Sequence, residues 1–392
     1  MTSTIWQRVV LITLDGVGVG GQPDAASYGD QAASTLPHVA EYCGGLRLPN
    51  LARLGLGRIV PIAGVAAVPE PCGVFGRMLE RSEGKDTTTG HWELAGLEQG
   101  KPFATYPQGF PEEVIDAFAA LAGVRPLGNI AVSGTEVLRL LGEEHLRCGR
   151  PIVYTSVDSV FQIAAHEDVL PRERLYALCE GMRRVLDTYR VGRVIARPFV
   201  GTNADNFERT AGRRDFSMPP QGDTLLDTFQ QAGMTVVGVG KIGDIFAGKG
   251  VSRSIKSTCN NDGMAKTRQA LAALDRGMVF TNLVDFDMLY GHRLDARGFG
   301  RALEEFDVWL EGFMAELKVG DLLVITADHG CDPTTEGTDH TRESVPVLVW
   351  HPGLVQGRNI GVRSSFGDVA ATIAQLFGLV CVSGTSFADQ LA

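Results

Sequence analysis

Six acidic and histidine side chains stand where apolar segments of this sequence end, or shortly afterwards. They are Asp15, Asp287, His292, Asp328, His329 and His340. Carboxylates and imidazoles together ligate Zn²⁺, Mn²⁺ and similar divalent ions, and the lack of cysteine in the set favours the harder ions. A single Asp after a strand is more often a helix cap or a turn residue. Their grouping in a chain with only eight histidines nevertheless predicts a metal site.

One of these positions stays open on the residues alone. Asp285 and Asp287 are two positions apart in the segment DFDMLYGH. Successive side chains of a strand alternate between its faces, so a strand through this segment would present both carboxylates on one face. Either residue could therefore be the ligand.

The segment GKDTTTGHWE at 84–93 offers hydroxyl groups at the predicted start of a helix. Backbone N–H groups and the helix dipole stabilise phosphate there. A hydroxyl becomes a competent nucleophile when a metal lowers its pKa, and the same metal offsets charge on a transferring phosphoryl group. The segment therefore predicts phosphoryl transfer from Thr87, Thr88 or Thr89, although a plain helix cap would have a similar sequence.

The elements that must position these residues alternate between strands and helices. Strands are predicted at 8–15, 234–239, 278–287, 321–328 and 345–350, and helices at 222–232, 263–275, 298–317 and 366–377. This alternation is typical of an α/β fold with a parallel sheet flanked by helices. Functional sites in such sheets form beyond the carboxyl ends of the strands, so the predicted ligands would share one rim.

A segment of different character interrupts this pattern. Residues 103–217 contain predicted helices at 111–122, 135–141 and 172–187 and predicted strands at 151–155 and 191–196. We interpret this segment as a second domain inserted into a core made of residues 1–102 and 218–392.

Composition narrows the functional classes. The net charge of −10 argues against a broad surface for nucleic acid or an anionic membrane. The seven cysteines are scattered and form no CxxC pair, which favours a reducing cytoplasm over a disulfide framework. No segment has the length of a membrane-spanning helix or the pattern of a signal peptide.

Taken in order, the motifs resemble those of the phosphopentomutase family in the alkaline phosphatase superfamily. The resemblance spans nearly the whole chain: Asp15-Gly16, GKDTTTGHWE, DFDMLYGHR at 285–293, ADHGCDPTTEGTDHTRE at 327–343 and VPVLVW at 345–350. It implies an alkaline-phosphatase-like core with a mostly parallel sheet, and an inserted α/β cap domain.

The resemblance also implies roles for individual residues. One Mn²⁺ would be held by Asp287, His292 and His340, and a second by Asp15, Asp328 and His329. Thr87 would be the nucleophile, and His91 would support its loop or simply fill the core. The implied reaction interconverts ribose 1-phosphate and ribose 5-phosphate, and their 2-deoxy forms, through phosphothreonine and an activating pentose 1,5-bisphosphate.

Sugar phosphates would be the small-molecule partners. Arginine and lysine suit a distal phosphate, and a carboxylate suits a ribose hydroxyl. The candidates are Asp158, Arg193, Arg197 and Lys241. Three alternatives stay open: a cofactor-independent phosphoglycerate mutase with a Ser nucleophile, a phosphomonoesterase, and a metal-binding protein without catalysis.

Overall fold

The computed structural model describes residues 6–156, 158–380 and 383–391. Its strands are β1 (Arg8–Leu14), β2 (Val74–Met78), β3 (Leu127–Ala131), β4 (Ile152–Thr155), β5 (Val160–His166), β6 (Arg193–Val200), β7 (Glu208–Arg209), β8 (Arg214–Ser217), β9 (Thr235–Val239), β10 (Arg253–Ile255), β11 (Gly277–Leu283), β12 (Asp321–Thr326), β13 (Val345–Trp350) and β14 (Asn359–Arg363).

The α-helices are α1 (Thr35–Tyr42), α2 (Pro49–Leu54), α3 (Thr87–Leu94), α4 (Glu112–Ala122), α5 (Gly134–Cys148), α6 (Arg172–Leu186), α7 (Leu225–Gln231), α8 (Ile242–Ile245), α9 (Asn260–Ala272), α10 (Ala296–Glu316) and α11 (Gly367–Phe377). Short 3₁₀ turns lie at Ala25–Tyr28, Leu56–Arg58 and Ala388–Leu391, and a π-helical turn lies at Phe286–Gly291. Within the described residues, no helix combines the length and apolar character needed to cross a membrane.

Two compact units divide the chain. One joins Met1–Pro102 to Pro220–Ala392, and the other is Phe103–Pro219. The first unit is built on an eight-stranded sheet in the order β10-β9-β11-β1-β12-β13-β2-β14. Its first five strands run parallel, and only β13 is antiparallel to both neighbours. The predicted α/β class with a mostly parallel sheet is confirmed.

The central strands of this sheet are apolar because neither face meets water. β1 is buried along almost its whole length, and β11 and β12 are buried throughout. Parallel strands covered on both faces have such near-continuous apolar sequences. The same sequences made these strands recognisable in advance.

The structure corrects one predicted strand. β11 ends at Leu283, and the π-helical turn Phe286–Gly291 replaces the predicted continuation to Asp287. Asp285 turns the chain instead: its Oδ2 accepts the Asn260 N–H at 2.6 Å, and its own N–H donates to Asn260 Oδ1 at 3.0 Å. Strand alternation therefore does not relate Asp285 to Asp287.

The second unit has its own sheet and core. Its strands follow the order β3-β4-β5-β6-β7, with β8 also paired to β6. Side chains of α4 and α6, including Phe118 and Met182, pack with Phe161 of β5 in a fully buried cluster. The predicted helices and strands of this segment are confirmed, although α5 extends beyond the predicted 135–141.

Candidate metal centre

The carboxyl ends of three adjacent strands meet at one rim of the first unit's sheet. β1 lies between β11 and β12, with Leu14 opposite Leu283 and Thr13 opposite Thr326. The segments that follow these strands carry Asp15, Asp287 and Asp328. The parallel register therefore brings residues more than 250 positions apart in sequence to one place.

A fully buried cluster consists of Asp15, Asp328 and His329. One ligand atom from each lies within 4.8 Å of the others. His329 Nε2 is 3.3 Å from Asp15 Oδ1 and 3.5 Å from Asp328 Oδ2. The side chains of all three residues are 0% exposed. We call this group the buried cluster.

A second cluster surrounds Asp287 and is partly open to solvent. His292 Nε2 is 3.2 Å from Asp287 Oδ2, and His340 Nε2 is 3.2 Å from Asp287 Oδ1. The side chains of His292 and His340 are 37% and 16% exposed. The rings of His340 and His329 stack at 4.0 Å, which joins this open cluster to the buried one.

Asp287, and not Asp285, belongs to the open cluster. Both carboxylates have an Oδ1 atom without a hydrogen-bond partner. Among the described residues, however, Asp285 belongs to no group of three potential ligands, whereas Asp287 belongs to two, one with His329 and His340 and one with His292 and Cys331. The tertiary structure thereby favours one of the two residues that the sequence left open.

Backbone carbonyls fix the ring nitrogens of two histidines. His329 Nδ1 is 3.0 Å from Gly330 O, and His292 Nδ1 is 2.6 Å from Thr338 O. A carbonyl can only accept, so Nδ1 carries the proton in each neutral ring and Nε2 keeps its lone pair. Each Nε2 faces the carboxylates, as a metal ligand held by an outer-shell partner would.

Burial and the charges of neighbouring residues shift the pKa values of residues in both clusters. Burial and the charge of Asp328 raise the pKa of Asp15. Burial opposes the charged form of His329, yet the charges of Asp328 and Asp15 raise its pKa well above the ordinary value. The hydrogen bond to Asp287 likewise raises the pKa of His292. The raised pKa values favour the protonated rings of His292 and His329 beside the carboxylates, and a divalent ion would displace those protons.

Buried polar atoms without a hydrogen bond indicate where a metal ion could bind. In the two clusters, four such atoms lack a hydrogen bond: Asp15 Oδ1, Asp287 Oδ1, Asp328 Oδ2 and His340 Nε2. The other oxygen of Asp15 accepts from Asn282 Nδ2 at 2.7 Å, and the other oxygen of Asp328 accepts from the Gly16 N–H at 3.1 Å. Orphaned buried polar atoms are costly unless a ligand completes them. The donor set fits two hard or borderline divalent ions.

The start of α3 presents Thr87 to the buried cluster. Asp86 caps the helix by accepting from the Thr89 N–H at 3.1 Å and the Thr89 hydroxyl at 2.6 Å. The Thr89 hydroxyl is therefore hydrogen-bonded to the capping residue and does not face the buried cluster as a free group. Thr87 Oγ1 is 3.2 Å from His329 Nε2 and remains half-buried. The hydroxyl beside the buried cluster is therefore that of Thr87.

His91 and Asn282 connect α3 to the buried carboxylates. His91 Nδ1 lies 2.8 Å from Thr87 O and 3.0 Å from Asp328 Oδ2, while its Nε2 lies 3.4 Å from Asn282 Nδ2. The approach of α3 depends on Gly90, because a Cβ there would stand 2.1 Å from Asp328 O. His91 is 0% exposed, and its ring contacts are those of an outer-shell partner.

Arg342 joins the loop that carries His340 to the loop that precedes Thr87. Its guanidinium is 2% exposed and donates to the carbonyls of Ser82 and Gly84, each at 2.6 Å. It also pairs with Glu80 Oε2 at 2.8 Å. A buried guanidinium with this many acceptors holds both loops in one arrangement.

The predicted substrate residues fall in both units. Asp158, Arg193 and Arg197 belong to the second unit, and Lys241 is an exposed residue directly before α8 in the first. Arg193 NH2 is 3.9 Å from Asp158 Oδ2, so the structure brings this pair together. Burial and the charges of Arg213 and Arg209 lower the pKa of Arg197.

Several residues that lie near the predicted site residues were not predicted from the sequence. Arg209 and Arg213 share the surroundings of Arg197, together with the buried and unpartnered Tyr154 hydroxyl. Asn282 was also missed, although a polar residue near the end of the apolar strand GMVFTNL was a usable signal. No local pattern distinguished the arginines.

Comparison with known proteins gives matches over nearly the whole chain. The model of the metalloenzyme superfamily matches residues 7–380. Phosphopentomutase of Syntrophotalea carbinolica is 76% identical over 391 residues, which cover 100% of both chains. Phosphopentomutase of Caldanaerobacter subterraneus subsp. tengcongensis is 55% identical and covers 98% of both chains, and that of Anaeromyxobacter dehalogenans is 53% identical and covers 99% of both.

Proposed function

This chain belongs to the phosphopentomutase family of the metalloenzyme superfamily, and we propose that it interconverts α-D-ribose 1-phosphate and D-ribose 5-phosphate. The 2-deoxyribose phosphates would be handled in the same way. The observation that supports this proposal most directly is the position of the Thr87 hydroxyl, which lies at the start of α3 and 3.2 Å from His329 Nε2. We place the activity in the cytoplasm, since the cysteines of the described residues are free.

Two divalent ions, which we propose to be Mn²⁺, would occupy the buried and open clusters. Asp15, Asp328 and His329 would hold one ion, and Asp287, His292 and His340 the other. When bound, they would stabilise the charge on the attacking and leaving oxygens of phosphoryl transfer.

The chain's own residues would then take part in two phosphoryl transfers, each of a different phosphate. Phosphorylated Thr87 passes its group to the free hydroxyl of a pentose monophosphate: the bond from Thr87 Oγ1 to phosphorus breaks, a bond from phosphorus to the sugar oxygen forms, and the hydroxyl proton replaces the phosphoryl group on Thr87 Oγ1. The resulting 1,5-bisphosphate reorients, and Thr87 takes up the other phosphate. The N-terminus of α3 stabilises the phosphate on Thr87.

Recognition of the sugar would come from outside the clusters. We assign the ribose hydroxyls to Asp158 and the distal phosphate to Arg193, Arg197 and Lys241. The unit Phe103–Pro219 would serve as the cap that keeps water from phosphorylated Thr87. A mutase must exclude water where a phosphatase admits it, because hydrolysis would remove the phosphate from Thr87 before it reaches the sugar.

The test is formation of ribose 1-phosphate from ribose 5-phosphate with Mn²⁺ and a trace of pentose 1,5-bisphosphate. We expect wild type and Thr88→Ala to be active and Thr87→Ala to be inactive, with partial activity in Thr87→Ser, which retains a hydroxyl. Inorganic phosphate outpacing isomerisation would indicate a phosphomonoesterase, and turnover of 3-phosphoglycerate a glycerate mutase. Full activity in Thr87→Ala would overturn the proposed nucleophile.

A further inference from the structure

Cys331 lies against the open cluster, and its thiol is not needed by the proposed reaction. The residue follows Gly330 and is 1% exposed. Its N–H donates to Thr35 Oγ1 at 3.1 Å, which fixes the backbone. The sulfur packs so closely on Gly291 that a Cβ at that glycine would stand 2.5 Å from it. The thiol is therefore held in one place.

The sulfur belongs to a three-ligand group. Ligand atoms of Asp287, His292 and Cys331 all lie within 4.8 Å of one another. Sulfur and nitrogen or oxygen ligands of a tetrahedral ion are separated by about 3.6 Å, given typical bonds of ~2.1 and ~2.3 Å. Shifts of about 1 Å would let one ion contact all three. The Asp287 side chain is 6% exposed, and its Oδ1 lies 3.2 Å from His340 Nε2 although neither atom makes a hydrogen bond, so this carboxylate oxygen can accept a metal ion.

The two possible partners of Asp287 and His292 differ in softness. His340 completes a set of nitrogen and oxygen ligands, which suits Mn²⁺. Cys331 completes a set with sulfur, which suits Zn²⁺ and heavier soft ions. Because the sets share two residues, an ion in one excludes an ion from the other.

We propose that Asp287, His292 and Cys331 form a thiolate-containing site at which Zn²⁺ or Cd²⁺ binds in competition with the hard ion of the open cluster. On binding, the S–H bond of Cys331 breaks, its proton passes to the buffer, and a metal–sulfur bond forms. The soft ion then blocks turnover. The competition rests on the proposed function, whereas the binding of a soft ion does not.

The experiment titrates Cd²⁺ into chelator-treated protein and follows the near-ultraviolet charge-transfer absorption of cadmium thiolate. Wild type and Cys179→Ala should show a band at the first equivalent, and the Cd²⁺ concentration at its midpoint should rise as Mn²⁺ is added. Cys331→Ala should lack that band. Cys179 is the matched control, because it is equally buried but lies in the other unit.

Inhibition gives the second readout. With each variant's rate scaled to its own uninhibited value, the Cd²⁺ concentration for half inhibition should rise at least about tenfold in Cys331→Ala, or ~1.4 kcal/mol. Equal bands in wild type and Cys331→Ala would overturn the proposal. So would a wild-type band whose Cd²⁺ midpoint does not change with Mn²⁺ concentration, and this measurement needs no variant to fold. An enzyme that binds Cd²⁺ as stated but lacks isomerase activity would refute only the proposed function.

Discussion

The buried and open clusters use the same side-chain types in opposite surroundings. Asp15, Asp328 and His329 directly follow central strands and exclude water, whereas His292 and His340 lie on a turn and a loop and are partly exposed. A missing ligand in the open cluster can be replaced by water, and one in the buried cluster cannot. The buried cluster should therefore tolerate change less.

The largest expected effect comes from removing a ligand from each cluster in turn. We expect Asp328→Asn to lower kcat/KM by more than the ~10–100-fold typical of an outer-shell change, at any Mn²⁺ concentration. His292→Asn should mainly weaken metal affinity, so that added Mn²⁺ restores much of the rate. Isomerase rates across a Mn²⁺ titration measure both. Equal rescue of the two variants would remove the distinction between the clusters.

The next largest effect is expected from replacing His91, which lies against Asp328 of the buried cluster. His91→Phe preserves the ring volume beside Phe280 but removes the contacts with Thr87 O and Asp328 Oδ2. We expect metal affinity to fall ~10–100-fold. Calorimetric Mn²⁺ binding is the measurement, with His145→Phe as control, since His145 is equally buried but belongs to the second unit. An unchanged affinity would reduce His91 to a packing residue.

Proton release should accompany metal binding at both clusters. The pKa values of His292 and His329 are raised by their acidic neighbours, and a metal binds only the neutral rings. Affinity should therefore rise with pH up to the raised pKa values, by about tenfold per pH unit for each proton displaced. Calorimetry in buffers of different ionisation enthalpy counts the protons. A pH-independent affinity without proton release would contradict the assigned charge states.

The smallest effect is expected at Asp285. Asp285→Asn keeps an acceptor for the Asn260 N–H and removes no member of either cluster. We expect Mn²⁺ affinity close to wild type and a change of ~0.5–1.5 kcal/mol in the free energy of unfolding. Urea unfolding and a Mn²⁺ titration check this, with Asp287→Asn as the comparison. A large loss of affinity in Asp285→Asn would make Asp285 a second carboxylate of the open cluster.

Prediction from the sequence succeeded where local pattern governs structure. The buried parallel strands β1 and β12 were recognisable because apolar runs ending in an acid need no distant information. It failed at the end of β11, where the Asp285–Asn260 contact turns the chain. The edge strands β3 and β7 were missed because one is largely exposed and contains Gly128, and the other has two residues.

By itself, the sequence determined the chemistry: hard-metal ligands, a hydroxyl at a helix start, and an order of motifs shared with one family. These depend on residue type and spacing, which a sequence states directly. Only the tertiary structure decided that Asp287 and not Asp285 joins a cluster, that Thr89 serves the cap and leaves Thr87 to the site, and that Asn282 and Cys331 adjoin the ligands. Those outcomes depend on distances between residues such as Asp15 and Asn282, 267 positions apart, which the register of parallel strands fixes.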